Sequence, residues 1–159
     1  MSFARASALA ALLWLTPTAA LAGNEDYAAP YRLLAQANLT LDASLAASAY
    51  ARDGALIFEI PGQPIEMYRG TDAIRTAYVR SFDQVDSGTP IEIEFRFEKP
   101  VRPSAHNGAY RLKAKVGGRD ITAYGRFTVK LVWQDGAWRF GEDRGTPAAA
   151  ADFEALHPG

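Results

Sequence analysis

From Ile91 to Glu98 apolar and polar positions alternate without a break. Ile91, Ile93, Phe95 and Phe97 stand against Glu92, Glu94, Arg96 and Glu98. A period of two belongs to a strand with one buried and one wetted face. Tyr110, Leu112, Ala114 and Val116 alternate with Arg111, Lys113 and Lys115 in the same way, and Gly117-Gly118 follows as a two-residue hairpin turn. A long strand is predicted from Ile121 to Trp133. Asp135-Gly136 is a second hairpin signal, and Trp138 and Phe140 alternate with Arg139 in a last strand. The acidic face of 91–98 suits the basic face of 110–116, so cross-strand ion pairs are expected between them.

The first half of the chain follows a helical period. Pro30 can open a helix that carries Tyr31, Leu34, Ala35 and Asn38. Asp42 is a good N-cap for a short helix running to Tyr50, with Leu45, Ala46 and Ala49 as its apolar positions. Asp53-Gly54 then reads as a turn. Ala55–Ile60 and Ile65–Arg69 read as two short strands joined at Pro61-Gly62, with Ile65 and Met67 on one face and Glu66 and Tyr68 on the other. Thr71 is the expected cap of a third helix, Asp72 to about Val85, whose apolar face holds Ile74, Tyr78 and Phe82. The fold class is therefore α+β. Three helices are the only cover for the apolar face of a curling, mostly antiparallel sheet, and the expected shape is a half-open cone.

Upstream of this domain the pattern changes. Arg5 precedes an almost wholly apolar run, Ala6 to Leu15; Pro17 interrupts it, and Ala20-Leu21-Ala22 fits the small-x-small cleavage rule. Residues 1–22 read as a signal peptide, residues 23–147 as one domain and residues 148–159 as a short tail. Cleavage removes one base and no acid, so the net charge moves from −1 to −2. A mildly acidic chain with no basic block is a poor fit to nucleic acid. No second apolar run reaches membrane-spanning length. The absence of cysteine excludes disulfides, a thiol nucleophile and a lipid-modified cysteine. The expected location is exported, periplasmic or secreted.

Three stretches resemble the nuclear-transport-factor-2-like (NTF2-like) superfamily, in particular its SnoaL-like and DUF4440 branches. They are Ala49-Tyr50-Ala51-Arg52-Asp53-Gly54-Ala55, then Tyr68-Arg69-Gly70-Thr71-Asp72-Ala73-Ile74-Arg75, then Gly125-Arg126-Phe127 with Val132 to Phe140 and Asp143. The resemblance spans about residues 27 to 147. It implies a conical α+β domain, often dimeric, with a pocket between sheet and helices. The superfamily includes isomerases, cyclases, dehydratases, binding proteins and assembly modules, so the fold does not select a function. Through this resemblance a bacterial periplasm is the favoured location.

Steroid-isomerase chemistry on this fold would need a carboxylate base, a tyrosine and a protonated aspartate. The resemblance places these at about Phe58, Leu34 (with Tyr31 one turn away) and Val129, all apolar. Glu59, one residue beyond Phe58, would replace the base only if a bulge re-aimed it. Glu59 and Asp143 are the candidate acid/base residues. Each has a structural alternative: Glu59 in solvent or paired with Arg69, and Asp143 capping a strand end or paired with Arg126. His106 lies in a turn sequence and His157 in the tail, and no metal-ligand spacing, nucleophile elbow or phosphate loop is present. No metal and no cofactor are expected.

The aromatic residues carry more of the signal. Leu34, Tyr50, Phe58, Met67, Tyr78 and Phe82 from the first half, and Phe95, Tyr110, Phe127, Trp138 and Phe140 from the second, are the expected pocket lining, where they can equally be plain core. Three functions fit: an exported protein holding a small apolar ligand, an acid/base enzyme acting on a carbonyl compound, and a dimeric interaction module without ligand. The long strand puts Ile121, Ala123, Gly125, Phe127, Val129, Leu131 and Trp133 on one face, expected to line the cone. The other face, with Tyr124, Arg126 and Val132, is expected to form a homodimer.

Overall fold

The computed structural model describes residues 25–158; the leader 1–22 lies outside the described residues. Pro30 stands in the first turn of α1 (Ala29–Thr40), and Asp42 caps α2 (Ala43–Ser48) by accepting from the amides of Ser44 and Leu45. There follow β1 (Tyr50–Phe58), β2 (Glu66–Arg69), α3 (Thr71–Phe82), β3 (Glu92–Phe97), β4 (His106–Val116), β5 (Arg119–Gln134) and β6 (Ala137–Pro147). The chain then continues into α4 (Ala150–Glu154) and β7 (His157–Pro158). One sheet holds all the strands in the order β2-β1-β6-β5-β4-β3-β7. Among the described residues only β1 and β6 run parallel. Among the described residues no helix is long and apolar enough to cross a membrane.

The helices α1, α2 and α3 cover one face of this curved sheet. Tyr31, Leu34, Ala46, Ile74, Phe127, Val129 and Phe140 share the buried core beneath them. On β5 the apolar set is buried only from Gly125 to Leu131. Ile121, Ala123 and Trp133 are exposed, because they lie towards the ends of the long strand. The expected ion pairing between β3 and β4 is present: Arg111 stands opposite Glu94 and bonds its carboxylate.

Three local expectations are corrected. Asp53-Gly54 is not a turn. It lies within β1, where the strand parts from β6 between Tyr50 and Ala55. Gly70, not Thr71, caps α3, with no side-chain hydrogen bond. Residues 148–158 pack as part of the fold. Phe153 is fully buried against the outer sheet face, with the Arg96 guanidinium 4.1 Å and the Arg111 guanidinium 5.2 Å from its ring centre and Tyr124 beside it. The outer face around Tyr124, offered above to a second copy, is thus partly occupied by α4 of the same chain.

β6 contains an irregularity that matters for chemistry. Leu131 of β5 faces Phe140, but the next residue back, Lys130, faces Glu142. Gly141 is the extra residue of a β-bulge. Trp138 and Phe140 point to the helices with Leu131 and Trp133. Beyond the bulge the alternation is reset, so Asp143, opposite Val129, points to the helices as well.

Candidate functional site

Strict alternation along β6 would place Asp143 with Arg139 on the outer face. The bulge at Gly141 instead turns it into a cavity of about 230 Å³ between sheet and helices. Oδ2 accepts a hydrogen bond from the Tyr50 hydroxyl at 2.8 Å, and Tyr50 in turn accepts from Tyr78 at 3.0 Å. Asp143 lines the cavity, and no described residue hydrogen-bonds its Oδ1.

Burial raises the Asp143 carboxyl from 3.8 to about 6, and the Tyr50 hydrogen bond holds it lower than burial alone would. The hydroxyls of Tyr31, Tyr50, Tyr78 and Tyr110 are all pushed up, first by burial and further by the negative charge of Asp143. These hydroxyls stay protonated and neutral. Tyr50→Phe is expected to move the Asp143 titration upward, because it removes the one protein group that bonds the ionised form. Carboxyl-carbon NMR across the acid range checks this, and an unchanged or lowered midpoint would contradict the assignment of that hydrogen bond.

The cavity wall is mainly aromatic and aliphatic. Leu34, Phe58, Tyr78, Phe95, Tyr110, Phe127 and Phe140 stand on it as named from sequence, beside Asp143. Tyr31, Asn38, Leu56, Ser81, Ile93, Leu112 and Gly145 are on it too. Ile93 and Leu112 fall on the apolar side of alternating strands, and Tyr31 is one turn from Leu34. Periodicity carried that signal. Leu56 lies in an unbroken apolar run and Gly145 beyond the bulge, where alternation does not mark the inner face. Tyr50 and Phe82 lie behind the wall, Tyr50 holding Asp143 and Phe82 packing on Tyr78. Trp138 packs against Tyr27 and Trp133, away from the cavity. Met67 is 53 % exposed and is no part of the lining. It stands opposite Ile57, whereas Tyr68 stands opposite Leu56, so the register gives the inner face to Tyr68.

Close approach of rings to backbone shapes this wall. Gly125 stands opposite Tyr110, and a Cβ at 125 would lie 2.3 Å from the tyrosine ring. Glycine at 125 leaves the room that the tyrosine ring occupies. Tyr31 crosses the interior with edge-on contacts to Phe95, Phe97 and Phe140. Its hydroxyl bonds Nε2 of His106, whose Nδ1 faces the carbonyl of Ser104 at 3.3 Å. His106 was read as a turn residue. It is buried at the start of β4 instead, and burial pushes its pKa down. The neutral ring therefore donates from Nδ1 and accepts from Tyr31.

Glu59 is not in this cavity. It follows the end of β1 and forms an ion pair with Arg144 on the outer side of β6, with both side chains more than a third exposed. Its expected partner, Arg69, bonds the carbonyl of Asp53. Arg126, the partner considered for Asp143, faces Glu98 and Asp152 across 3.8 Å. Glu59→Gln is expected to change stability by less than about 1 kcal/mol, as for other exposed pairs. A loss of several kcal/mol in urea denaturation would mean that Glu59 is a buried partner. Among the described residues, no three His, Cys, Asp or Glu side chains are grouped to hold a metal.

No family model matches the chain, and no curated protein is similar enough to be recognised as a relative. Solved structures do resemble it. A ketosteroid isomerase-like protein from Erwinia carotovora atroseptica superposes with a TM-score of 0.57 at 18% identity, covering 79% of this chain and 98% of its own. An NTF2-like protein with a cystatin-like fold from Novosphingobium aromaticivorans gives 0.54 at 15% identity, covering 83% and 87%. A protein with a ketosteroid isomerase-like fold from Catenulispora acidiphila, in complex with trimethylamine, gives 0.55 at 10% identity, covering 79% and 89%.

Proposed function

Starting from the NTF2-like, ketosteroid isomerase-like fold of this chain, we propose that its cone binds a small, mostly apolar molecule whose one polar group meets Asp143. The observation that carries this is a single carboxylate, bonded on Oδ2 by Tyr50, inside a cavity whose other lining is aromatic and aliphatic apart from Asn38 and Ser81. A site of this kind binds by apolar contact and orients by its one polar group. The neutral hydrocarbon tert-butylbenzene is a suitable probe. Saturable NMR shifts are expected at the methyls of Leu34, Leu56 and Leu112. They should be lost in Gly145→Val, which adds bulk to the wall at a position where a Cβ makes only ordinary contacts, 3.8 Å from Phe58. No saturable shift in the parent would end this reading.

A second reading is proton transfer on a carbonyl compound. A carboxylate at about 6 is poised to take a proton near neutral pH. Oδ1 would accept a proton from the carbon beside the carbonyl and return it elsewhere on the same molecule. Asp143, not Glu59, would be that base, because Glu59 lies outside the cavity.

We also propose that the protein is exported, with residues 1–22 removed. Amino-terminal sequencing of the protein from the exported fraction is expected to begin at Gly23. Retention of Met1 there would contradict it.

A further inference from the structure

We propose that the ligand of the cone is a small organic ammonium cation with apolar substituents, held against Oδ1 of Asp143 and the aromatic faces around it. The inference deepens the binding reading above and rests on it. Its starting point is charge balance. No Arg, Lys or His is among the described residues that line the cavity. The one group bonding Asp143 is the neutral hydroxyl of Tyr50, itself bonded only by the neutral hydroxyl of Tyr78. The charge of Asp143 therefore meets no cation among the described residues that line the cavity. It acts on four tyrosines, from α1, β1, α3 and β4, and raises the pKa of each.

A buried charge is costly unless something pairs with it. Here a cation bound in the cavity can supply the pairing, because Asp143 lines that cavity and Tyr50 bonds only its Oδ2. The rest of the wall has the same preference. Seven of the fifteen wall residues are aromatic: Tyr31, Phe58, Tyr78, Phe95, Tyr110, Phe127 and Phe140. Ring faces carry negative quadrupole charge and attract cations, most strongly where water is excluded. An anionic ligand would be repelled by Asp143, and a carbonyl oxygen would face the same repulsion wherever Asp143 is ionised. A bare divalent metal needs several oxygen ligands, and the wall supplies one carboxylate. An alkylated or arylated ammonium satisfies the carboxylate and the rings together, and its substituents fill the apolar volume.

The test compares two molecules of nearly one shape, phenyltrimethylammonium and tert-butylbenzene, titrated into the intact exported-length protein. At about pH 7.5 the cation is expected to bind roughly tenfold or more tightly than the hydrocarbon, the ratio that ~1.4 kcal/mol of charge recognition represents. The advantage should shrink as the pH falls through about 6. In Asp143→Asn the two affinities should converge and the pH dependence should vanish. The titratable groups near Asp143 are Tyr31, Tyr50, Tyr78 and Tyr110, which do not ionise in this range, and His106, which sits behind Tyr31. Dependence that survives Asp143→Asn would point to His106 and overturn the proposal. Hydrocarbon binding as tight as the cation in the parent would also overturn it while leaving the binding cone intact. Binding of neither would remove both readings. If Asp143→Asn does not fold, the pH profile of the parent with both probes still decides: a ratio that stays flat from pH 7.5 to 5 overturns the proposal.

Discussion

Asp143→Asn is expected to be more stable than the parent at pH 8, by up to roughly 3 kcal/mol. The sign follows from the direction of the shift. Folding raises this carboxyl from 3.8 to about 6. Between those values the folded chain holds a proton that the unfolded chain has already released. Stability therefore declines as the pH rises from about 4 to about 6, and the loss persists above that. The asparagine amide can still accept from Tyr50 and has no charge to bury, so it escapes the decline. At pH 4 and below, parent and variant should converge. Urea denaturation of both proteins at pH 4, 6 and 8 checks this, and the difference between them isolates Asp143 from every other titrating group. An equal difference at pH 4 and pH 8 would show that no buried charge is involved. A carboxylate that costs stability at neutral pH and lines a cavity is a candidate for function.

Phe153→Ala is expected to destabilise the protein by about 3–5 kcal/mol, the range for a buried phenylalanine truncated to alanine. The ring is fully buried although it lies only six residues from the C-terminus. It fills the space above the outer sheet face between Tyr124 and the guanidinium groups of Arg96 and Arg111. Arg96 also donates to the carbonyls of Phe153 and Leu156, so the helix end and the ring are held by one side chain. Truncation leaves that guanidinium without its stacked partner. Phe153→Leu should lose much less. The midpoint of urea unfolding reports both variants. A change below about 1 kcal/mol for Phe153→Ala would mean that the C-terminal segment is a passive tail.

How far each part of this protein could be read in advance depends on the range of the interaction that decides it. The strict alternation at 91–98 and 110–116 records which face of a strand meets the core, one residue at a time, so β3, β4 and the ion pair of Arg111 with Glu94 were legible directly. So were the proline start of α1, the Asp42 cap and the aromatic character of the cavity wall. Gly141 was not. A glycine between Phe140 and Glu142 is compatible with a regular strand, and only the register of β6 against β5 makes it an extra residue. A bulge does re-aim a carboxylate in this fold, but that carboxylate is Asp143 and not Glu59. β1 ends regularly at Phe58, and Glu59 bonds Arg144 outside, while the bulge in β6 turns Asp143 inward.

The C-terminal segment makes the same point. Phe153 among alanines and acids has too short a periodicity to announce a buried helix, and its site on the sheet is assembled from Arg96, Arg111 and Tyr124, which lie 29 to 57 residues away. The sequence by itself determined the α+β class, the order of the main elements and the side of most strands that is apolar, because each of these is recorded by neighbours one to four residues apart. The tertiary structure alone decided that Asp143 faces the cavity with one oxygen bonded, that Tyr50 and Tyr78 stand behind it, and that the outer sheet face carries the chain's own last helix. Those facts depend on register and on contacts between distant segments, where a slip of one residue sends a side chain to the opposite face.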